Sequence, residues 1–254
     1  MSTAETRIPT NLRAMLILEV VGNEDGPLSA ADIGRIVGIP KQTAHRLCNT
    51  LVEEGYLNRD VAKGRFRPGR RAREMASSIL HASVNHIARH QVLERLAKEV
   101  GETVNFVVPE DQGMSYKDRV ETNCAFRIQL PIGSHVPFYC TASGKAFLAT
   151  LSNSERRRLV HVMQLEKLTD NTLTDPDGLL QELKQIAKQG YALDDQEFLD
   201  GMVAVAVPVR DLAGRYIASV AVHGPVQRLS MTDLKGHVPL LTEAAEQLKL
   251  VVFD

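Results

Sequence analysis

Polar and basic side chains recur along one side of a short segment near the N-terminus, at a spacing that suits contact with DNA. Between positions 41 and 53, a helix would place Ala44, Leu47, Cys48, Leu51 and Val52 on one apolar side. The opposite side carries Lys41, Gln42, His45, Arg46 and Asn49, with Thr43 at the boundary. Arg, Gln and Asn can reach base edges in the major groove, whereas Lys and Thr suit phosphates. The pattern favours a DNA-reading helix, although an ordinary helix with a solvated polar face would carry the same residues.

The residues before this helix predict the element that would position it. Ser29 can cap a first short helix, because its side-chain oxygen can accept from amides of the first turn. Gly38 interrupts the apolar spacing, and Pro40 stands where a second helix tolerates proline best, at its first position. Gly55 then ends the second helix as a left-handed residue would. Two short helices joined by a tight turn predict a helix-turn-helix.

A basic segment follows the second helix and predicts a wing. Lys63 and Gly64 are expected at the tip of a hairpin, with Arg65 and Arg67 on its second strand. Positions 41 to 73 hold nine Lys or Arg against three acids, an excess of six positive charges in a chain whose net charge is −1. Such a local basic patch is what phosphate contacts need. We predict Gln42 and Arg46 as the main base readers, then His45 and Asn49, with Lys41, Thr43, Arg65 and Arg67 on phosphates.

The totals limit the class of protein. The 254 residues are 44% apolar and 24% charged, as in ordinary globular proteins, and the longest apolar runs are far too short for a membrane span. No signal-like pattern begins the sequence. The three cysteines, Cys48, Cys124 and Cys140, are odd in number and widely spaced. We therefore expect a reducing, cytoplasmic setting, no zinc-type site and no cofactor.

Apolar periodicity predicts three regions: a winged helix-turn-helix at 10–69, a linker helix at 70–99, and a second domain at 100–254. The linker has neither Pro nor Gly and could be one helix or two. In the second domain the pattern changes to short strands interrupted by helices, which indicates an α+β fold with an antiparallel sheet. The expected strands are 103–110, 114–121, 126–133, 202–210 and 216–224; the expected helices are 141–151, 154–159, 175–189 and 232–249.

Several stretches together resemble the IclR family of bacterial transcriptional regulators over the full length of the chain. They are IPKQTAHRLCNTLVEEGYL, GETVNFVV, VPFYCTASGKAFLA, GYALDDQEFLDGMVAVAVPV and IASVAVHGP. The resemblance implies an N-terminal winged helix, a linker helix and a C-terminal GAF-like domain that binds a small effector. It also implies dimers or tetramers on double-stranded operator DNA.

The resemblance also implies where the effector would bind. The positions that match the family's pocket are Ala142, Ser143, Asp194, Ala204, Ala221 and His223. Members that bind short 2-oxo acids are similar in having hydroxyls at the last two positions, and this chain has Ala221 and His223 there. The resemblance therefore favours a larger or aromatic carboxylate that an imidazolium at His223 would pair with, over glyoxylate or pyruvate.

The same residues have plainer interpretations. Thr141 or Ser143 could be a mere helix cap, although backbone amides and a hydroxyl there would also form an anion site. Asp194 and Asp195 could be solvated loop acids. His223 could be a structural histidine with satisfied hydrogen bonds.

Two sharper hypotheses involve Cys140. With His135 or His223 as base it could be a nucleophile, and with Asp194 and the same histidines it could ligate a metal. Neither has a spacing signature, and a lone cysteine is more often a buried apolar residue. Lys145 could form a Schiff base, although a helix-surface or capping lysine is the commoner case.

The sequence thus predicts an effector-responsive DNA-binding transcriptional regulator rather than an enzyme. From the resemblance alone come a repressor role, a catabolic operon and a small organic acid as signal. The partners expected are double-stranded operator DNA, a small carboxylate and further copies of this chain, with no membrane. The alternatives are an enzyme domain fused to a DNA-binding module, and a ligand-blind second domain on an architectural DNA-binding oligomer.

Overall fold

A computed structural model describes residues 8–24, 26–60, 64–82, 85–111, 113–124, 127–128 and 130–251. The chain divides into two compact units, Met1–Ala82 and Ser83–Asp254. Each unit has its own buried apolar core, so each is described by itself. No helix among the described residues is both long and apolar enough to cross a membrane.

The first unit is a three-helix bundle with a two-stranded wing and a following helix. Its core contains Ile17, Ile33, Ala44, Cys48 and Phe66, all nearly or fully buried. Its elements are α1 (Thr10–Asn23), α2 (Ala30–Val37), α3 (Lys41–Glu53), β1 (Leu57–Asp60), β2 (Arg65–Pro68) and α4 (Arg70–Ala82).

Local hydrogen bonds explain why the helix-turn-helix forms where the sequence predicts it. The amide of Asp32 donates to Ser29 Oγ at 3.2 Å, which caps α2. Gly38 ends α2 with φ +77°, a conformation in which glycine avoids the strain of a Cβ atom. Helix α3 begins directly after Pro40, one residue later than predicted. Leu28 pairs with Phe66 through two backbone hydrogen bonds, which tie the wing to the start of α2.

The second unit is a six-stranded antiparallel sheet between helices, in the strand order β5-β4-β3-β8-β7-β6. Helices α6 and α8 pack over one face, and α5 and α9 cover the other. Its elements are α5 (Asn85–Val100), β3 (Thr103–Glu110), β4 (Gly113–Val120), β5 (His135–Val136), α6 (Ala142–Thr150), α7 (Asn153–Val162), α8 (Pro176–Gln189), β6 (Ala192–Asp195), β7 (Met202–Arg210), β8 (Tyr216–Pro225) and α9 (Met231–Val251).

One expected strand does not form. Of the stretch 126–133, the described residues are not in a strand, and positions 126 and 129 lie outside the described residues. The guanidinium of Arg119 donates to the carbonyls of Leu130 at 2.6 Å and Ile128 at 2.7 Å. These carbonyls are therefore bound by a buried side chain instead of a strand ladder. Among the described residues, β5 is the strand that pairs with β4 on this side.

The predicted linker region is two helices, α4 and α5, that belong to different units. Helix α5 packs on α9 and on strands β3 and β4. The boundaries 10–69, 70–99 and 100–254 remain a proposal.

Candidate DNA interface and effector site

The outer side of α3 is free to meet a ligand. The described surface exposes Lys41, Gln42, His45 and Arg46, while Thr43 and Asn49 are half-buried. Ala44 and Cys48 are fully buried on the other side and hold the helix against the core. The amphipathic pattern read from the sequence is thus the pattern that the fold uses.

Two of these side chains contact each other and two do not. The amide of Asn49 lies 3.4 Å from His45 Nδ1, one turn earlier, so these residues form a pair along the helix. Among the described residues, the side chains of Gln42 and Arg46 make neither a hydrogen bond nor an ion pair. Folding therefore does not use their hydrogen-bonding capacity, which leaves it available for base edges.

The wing presents arginines by strand alternation. Arg65 and Arg67 are exposed on either side of the buried Phe66, and Arg65 donates to the carbonyl of Pro27 at 3.3 Å. The basic residues after the wing are partly used inside the unit: Arg71 pairs with Glu54 at 3.0 Å, and Arg73 donates to the carbonyl of Pro68 at 2.8 Å. Fewer positive charges are therefore available for phosphates than the excess of six counted from the sequence.

In the second unit, four of the six predicted effector positions lie on the sheet face beneath α6, and the other two begin α6 itself. Asp194 pairs with Ala204, which pairs with His223, and Ala206 pairs with Ala221 in the next row. Ala142 and Ser143 begin α6 above them, and the hydroxyl of Ser219 donates to the Ser143 carbonyl at 3.4 Å. All six positions are buried: Ala142, Ser143, Asp194, Ala204, Ala221 and His223.

The start of α6 is fixed by a cap and by a close approach. The amide of Gly144 donates to Thr141 Oγ1 at 3.1 Å, so Thr141 caps the helix. A Cβ atom on Gly144 would lie 2.3 Å from the carbonyl oxygen of Phe138, which only glycine avoids. These contacts hold Ser143 over the sheet.

Asp194 is a fully buried strand residue and not a solvated loop acid, whereas Asp195 is exposed. Its Oδ1 accepts from the amides of Glu197 at 2.8 Å and Phe198 at 3.4 Å, while its buried Oδ2 has no partner among the described residues. Burial raises the pKa of Asp194 to about 7, although the two amides and the charge of Lys145 lower it.

We expect Asp194→Asn to gain stability relative to the wild type as the pH rises from 5 to 8. Because the folded pKa is above the ordinary 3.8, the native state holds a proton that the unfolded state has lost. The contribution of Asp194 to the stability of the wild type therefore falls as pH rises from about 4 through 7, and asparagine removes this loss. Between pH 5 and pH 8, the free energy of unfolding of Asp194→Asn is expected to rise by on the order of 2 kcal/mol relative to that of the wild type. Urea unfolding at both pH values measures this change. Asp195→Asn is the exposed control, and a pH-independent difference for Asp194→Asn would contradict the assignment.

His223 is neutral, which corrects the prediction that an imidazolium at this position pairs with a carboxylate. Its Nδ1 lies 3.0 Å from the amide nitrogen of Asn105, and its Nε2 lies 3.3 Å from the Ile128 carbonyl. An acceptor at Nδ1 and a donor at Nε2 define the neutral tautomer. Burial and, after it, the charge of Arg119 lower the pKa of His223 to about 4.

The sequence favours a helix-surface or capping role for Lys145, and the structure shows neither. Its side chain is fully buried, and Nζ donates to Glu182 Oε1 at 2.6 Å and to Glu197 Oε1. Burial would lower the pKa of Lys145, but the charges of Glu197 and Glu182 outweigh burial and raise it. Burial raises the pKa of Glu197 to about 7 despite Lys145. No local sequence pattern indicates these partners, which lie 37 and 52 positions away.

The geometry does not favour chemistry at Cys140. Its thiol is fully buried, and burial, followed by the charges of Asp194 and Glu197, raises its pKa to about 12. His135 lies on the edge strand β5 and contacts Glu110 at 2.6 Å. Within the described ranges, no three His, Cys, Asp or Glu side chains are placed to hold a metal ion.

Comparison with known proteins gives matches to both units. Residues 77–250 match the family described as the bacterial transcriptional regulator IclR C-terminal domain, and residues 12–61 match the IclR helix-turn-helix domain. A probable transcriptional regulator, SauR of Cupriavidus necator, is 38% identical over 93% of this chain and 94% of its own length. The transcriptional repressor IclR of Escherichia coli is 28% identical over 97% of this chain and 91% of its own.

Solved structures agree with the fold. The IclR structure from Thermotoga maritima has a TM-score of 0.64 and 28% identity, and covers 96% of this chain and 98% of that one. An IclR homologue from Microbacterium hydrocarbonoxydans, complexed with 4-hydroxybenzoate, has a TM-score of 0.58 and 26% identity over 95% and 98% of the two chains.

Proposed function

Because the chain belongs to the IclR family of DNA-binding transcriptional regulators, we propose that it is a repressor whose operator binding is controlled by a small organic acid. Two observations support this proposal. In one unit, α3 exposes Gln42 and Arg46, whose side chains make no described hydrogen bond; in the other, a buried face contains polar atoms without described partners. The relatives are regulators and not enzymes, so the enzyme alternative is set aside. A relative named as a repressor supports the direction of control.

In this proposal, α3 enters the major groove. Gln42 and Arg46 read base edges, with His45 and Asn49 next, while Lys41, Thr43, Arg65 and Arg67 contact phosphates. Two copies would place two such helices on a pseudo-palindrome, about 34 Å apart centre to centre if they lie one helical turn apart. Since the target is DNA, the place of action is the cytoplasm.

The effector site is the buried face formed by Ala142, Ser143, Asp194, Ala204, Ala221 and His223. The side chains that pack between α6 and the sheet are small, and Asp194 Oδ2 lacks a partner in the described part of the chain. A relative that binds 4-hydroxybenzoate supports an organic acid as the ligand class. Effector binding would change operator binding, and so expression of a catabolic operon, through residues 70–99, which connect the regions 10–69 and 100–254.

An exposed apolar face on the first unit supports a dimer. Met15 is 65% exposed on α1, and Met75 and Ile79 are 41% and 61% exposed on successive turns of α4. Met15 and Met75 line one groove of about 420 Å³ with Leu18. A second copy would remove this apolar surface from water, which is the usual reason for such a patch.

We expect Met75→Asp to convert the dimer to a monomer at micromolar concentration, because the interface would have to bury an unpaired charge. Sedimentation equilibrium gives the mass directly. Ser78→Asp, on the same helix and also exposed, is the matched control. A Met75→Asp variant that stays dimeric would show that this face is not the interface.

The effector proposal is tested with the full chain on its own upstream DNA. Fluorescence anisotropy at fixed salt would be measured with and without a panel of aliphatic and aromatic carboxylates. A compound that weakens operator binding at least tenfold supports the sensing repressor. Operator binding indifferent to every compound would favour the ligand-blind alternative.

A further inference from the structure

The buried face beneath α6 has opposite charges at its two ends. Arg119 lies on β4 near one end, and Asp194 lies on β6 at the other, with β3, β8 and β7 between them. Four strand spacings separate the two backbones, about 19 Å before the side chains reach inward. The floor between them is made of small side chains, Ala204, Ala206 and Ala221.

The positive end has more cationic than anionic groups. The buried Arg119 and the half-buried Arg127 share a single carboxylate, Glu121, at 3.1 and 2.8 Å. Glu121 lies off the direction of the Arg119 Nε–H bond, so this buried N–H makes no hydrogen bond in the described part of the chain. Because two guanidinium groups share one carboxylate and one buried N–H has no described partner, this corner can take an additional anion. Beside it, Asn105 is fully buried, and its Oδ1, which is an acceptor without a described partner, can take a hydrogen-bond donor.

The negative end has more anionic than cationic groups. Lys145 is surrounded by Glu182, Glu197 and Asp194, three carboxyl groups for one ammonium. Asp194 Oδ2 and Glu197 Oε2 are buried, and neither has a hydrogen-bond partner among the described residues. This corner can therefore take a hydrogen-bond donor.

The two ends lie on the same face of the sheet, because Arg119 pairs with Asn105, Asn105 with Ala221 and Ala221 with Ala206, while Asp194 pairs with Ala204 in the next row. Burial raises the pKa of the Tyr116 hydroxyl, the charge of Arg119 lowers it, and the charge of Asp194 raises it again. Tyr116 is itself buried on β4, so its phenol lies within electrostatic reach of both ends.

We propose that Arg119 binds the effector's carboxylate and that Asp194 and Glu197 accept a hydrogen bond from a hydroxyl several bonds away from that carboxylate. The inference rests on the proposed function and names the ligand class as long or aromatic hydroxycarboxylates. It assigns Arg119 and Asn105 to the site, which the sequence did not single out. The neutral His223 orients Asn105 and carries no charge for the ligand.

The test uses two matched sets of ligands on the full chain by calorimetry. One set is 4-hydroxyphenylacetate, phenylacetate and 4-hydroxyphenylacetamide; the other is 6-hydroxyhexanoate, hexanoate and 6-hydroxyhexanamide. In at least one set, the hydroxycarboxylate is expected to bind at least tenfold more tightly than both truncated partners. Because this comparison uses wild-type protein, it does not depend on any variant folding.

Two variants assign the ends. Asp194→Asn is expected to abolish the preference for the hydroxyl while keeping that for the carboxylate, and Arg119→Gln is expected to do the reverse. Operator binding by each variant checks its fold.

Some outcomes overturn the inference alone and others overturn the proposed function. Three results would overturn the assignment of the carboxylate to Arg119 and of the hydroxyl to Asp194 and Glu197. They are equal binding of acid and amide, equal binding with and without the hydroxyl, and no binding in either set. If another carboxylate of the wider panel still releases operator DNA, the sensing repressor stands. If none does, the proposed function fails with it.

Discussion

Lys145→Met is expected to lower the free energy of unfolding by about 3–5 kcal/mol. The variant would leave Glu197 buried without its counter-charge, next to the buried Asp194 and the partly exposed Glu182. Removing one partner of a buried ion pair costs far more than the pair itself contributes, because the remaining charge stays desolvated. Urea unfolding followed by far-UV circular dichroism at pH 7.5 measures the change.

Two further variants show whether the charge cluster is the cause. Lys145→Met combined with Glu197→Gln should recover at least about 1 kcal/mol relative to the single variant, because the second change removes an uncompensated buried charge. Lys184→Met, at an exposed position of α8, should change stability by less than about 0.5 kcal/mol. Equal stability of Lys145→Met and Lys184→Met would refute the buried ion-pair cluster.

Arg46→Ala is expected to weaken operator binding by about 1–3 kcal/mol, roughly 5- to 150-fold, and to reduce discrimination against altered operators. Arg46 is exposed and makes no side-chain contact in the described part of the chain, so its removal should leave the fold unchanged. Anisotropy titrations on the operator and on single-base variants measure both effects.

Arg65→Ala is the matched comparison from the wing. An arginine on phosphate should weaken operator and random DNA alike and lower the salt slope by about 1, without changing discrimination. Wild-type affinity and selectivity in Arg46→Ala would mean that α3 does not dock as proposed. Loss of discrimination in Arg65→Ala would instead make the wing a base reader.

The helix-turn-helix could be predicted from the sequence because its determinants are local. The cap at Ser29, the left-handed Gly38 and the apolar spacing of Ala44 and Cys48 all act within a few residues. The outward side of α3 then follows from helix geometry alone. The α+β class of the second unit was predicted in the same way, from the change to short strands.

The burial and the partners of the polar side chains in the second unit depend on residues far away in the sequence, so local sequence patterns do not predict them. Lys145 is buried because Glu182 and Glu197 come to it from α8 and from the residues after β6, and Arg119 takes the carbonyls of Ile128 and Leu130. The expected strand at 126–133 failed for this reason, since strand propensity cannot show that a distant guanidinium binds the backbone. The prediction of a charged His223 was wrong for a similar reason, because burial by the tertiary fold determines its protonation state.

The most direct test of the central claim is DNase I footprinting of the full chain on its own upstream DNA, with a scrambled sequence of the same length as control. If α3 docks as proposed, two half-sites about one helical turn apart are protected on the upstream DNA alone, and Arg46→Ala loses that protection. Equal protection of both sequences, or none, would contradict sequence-specific binding by α3.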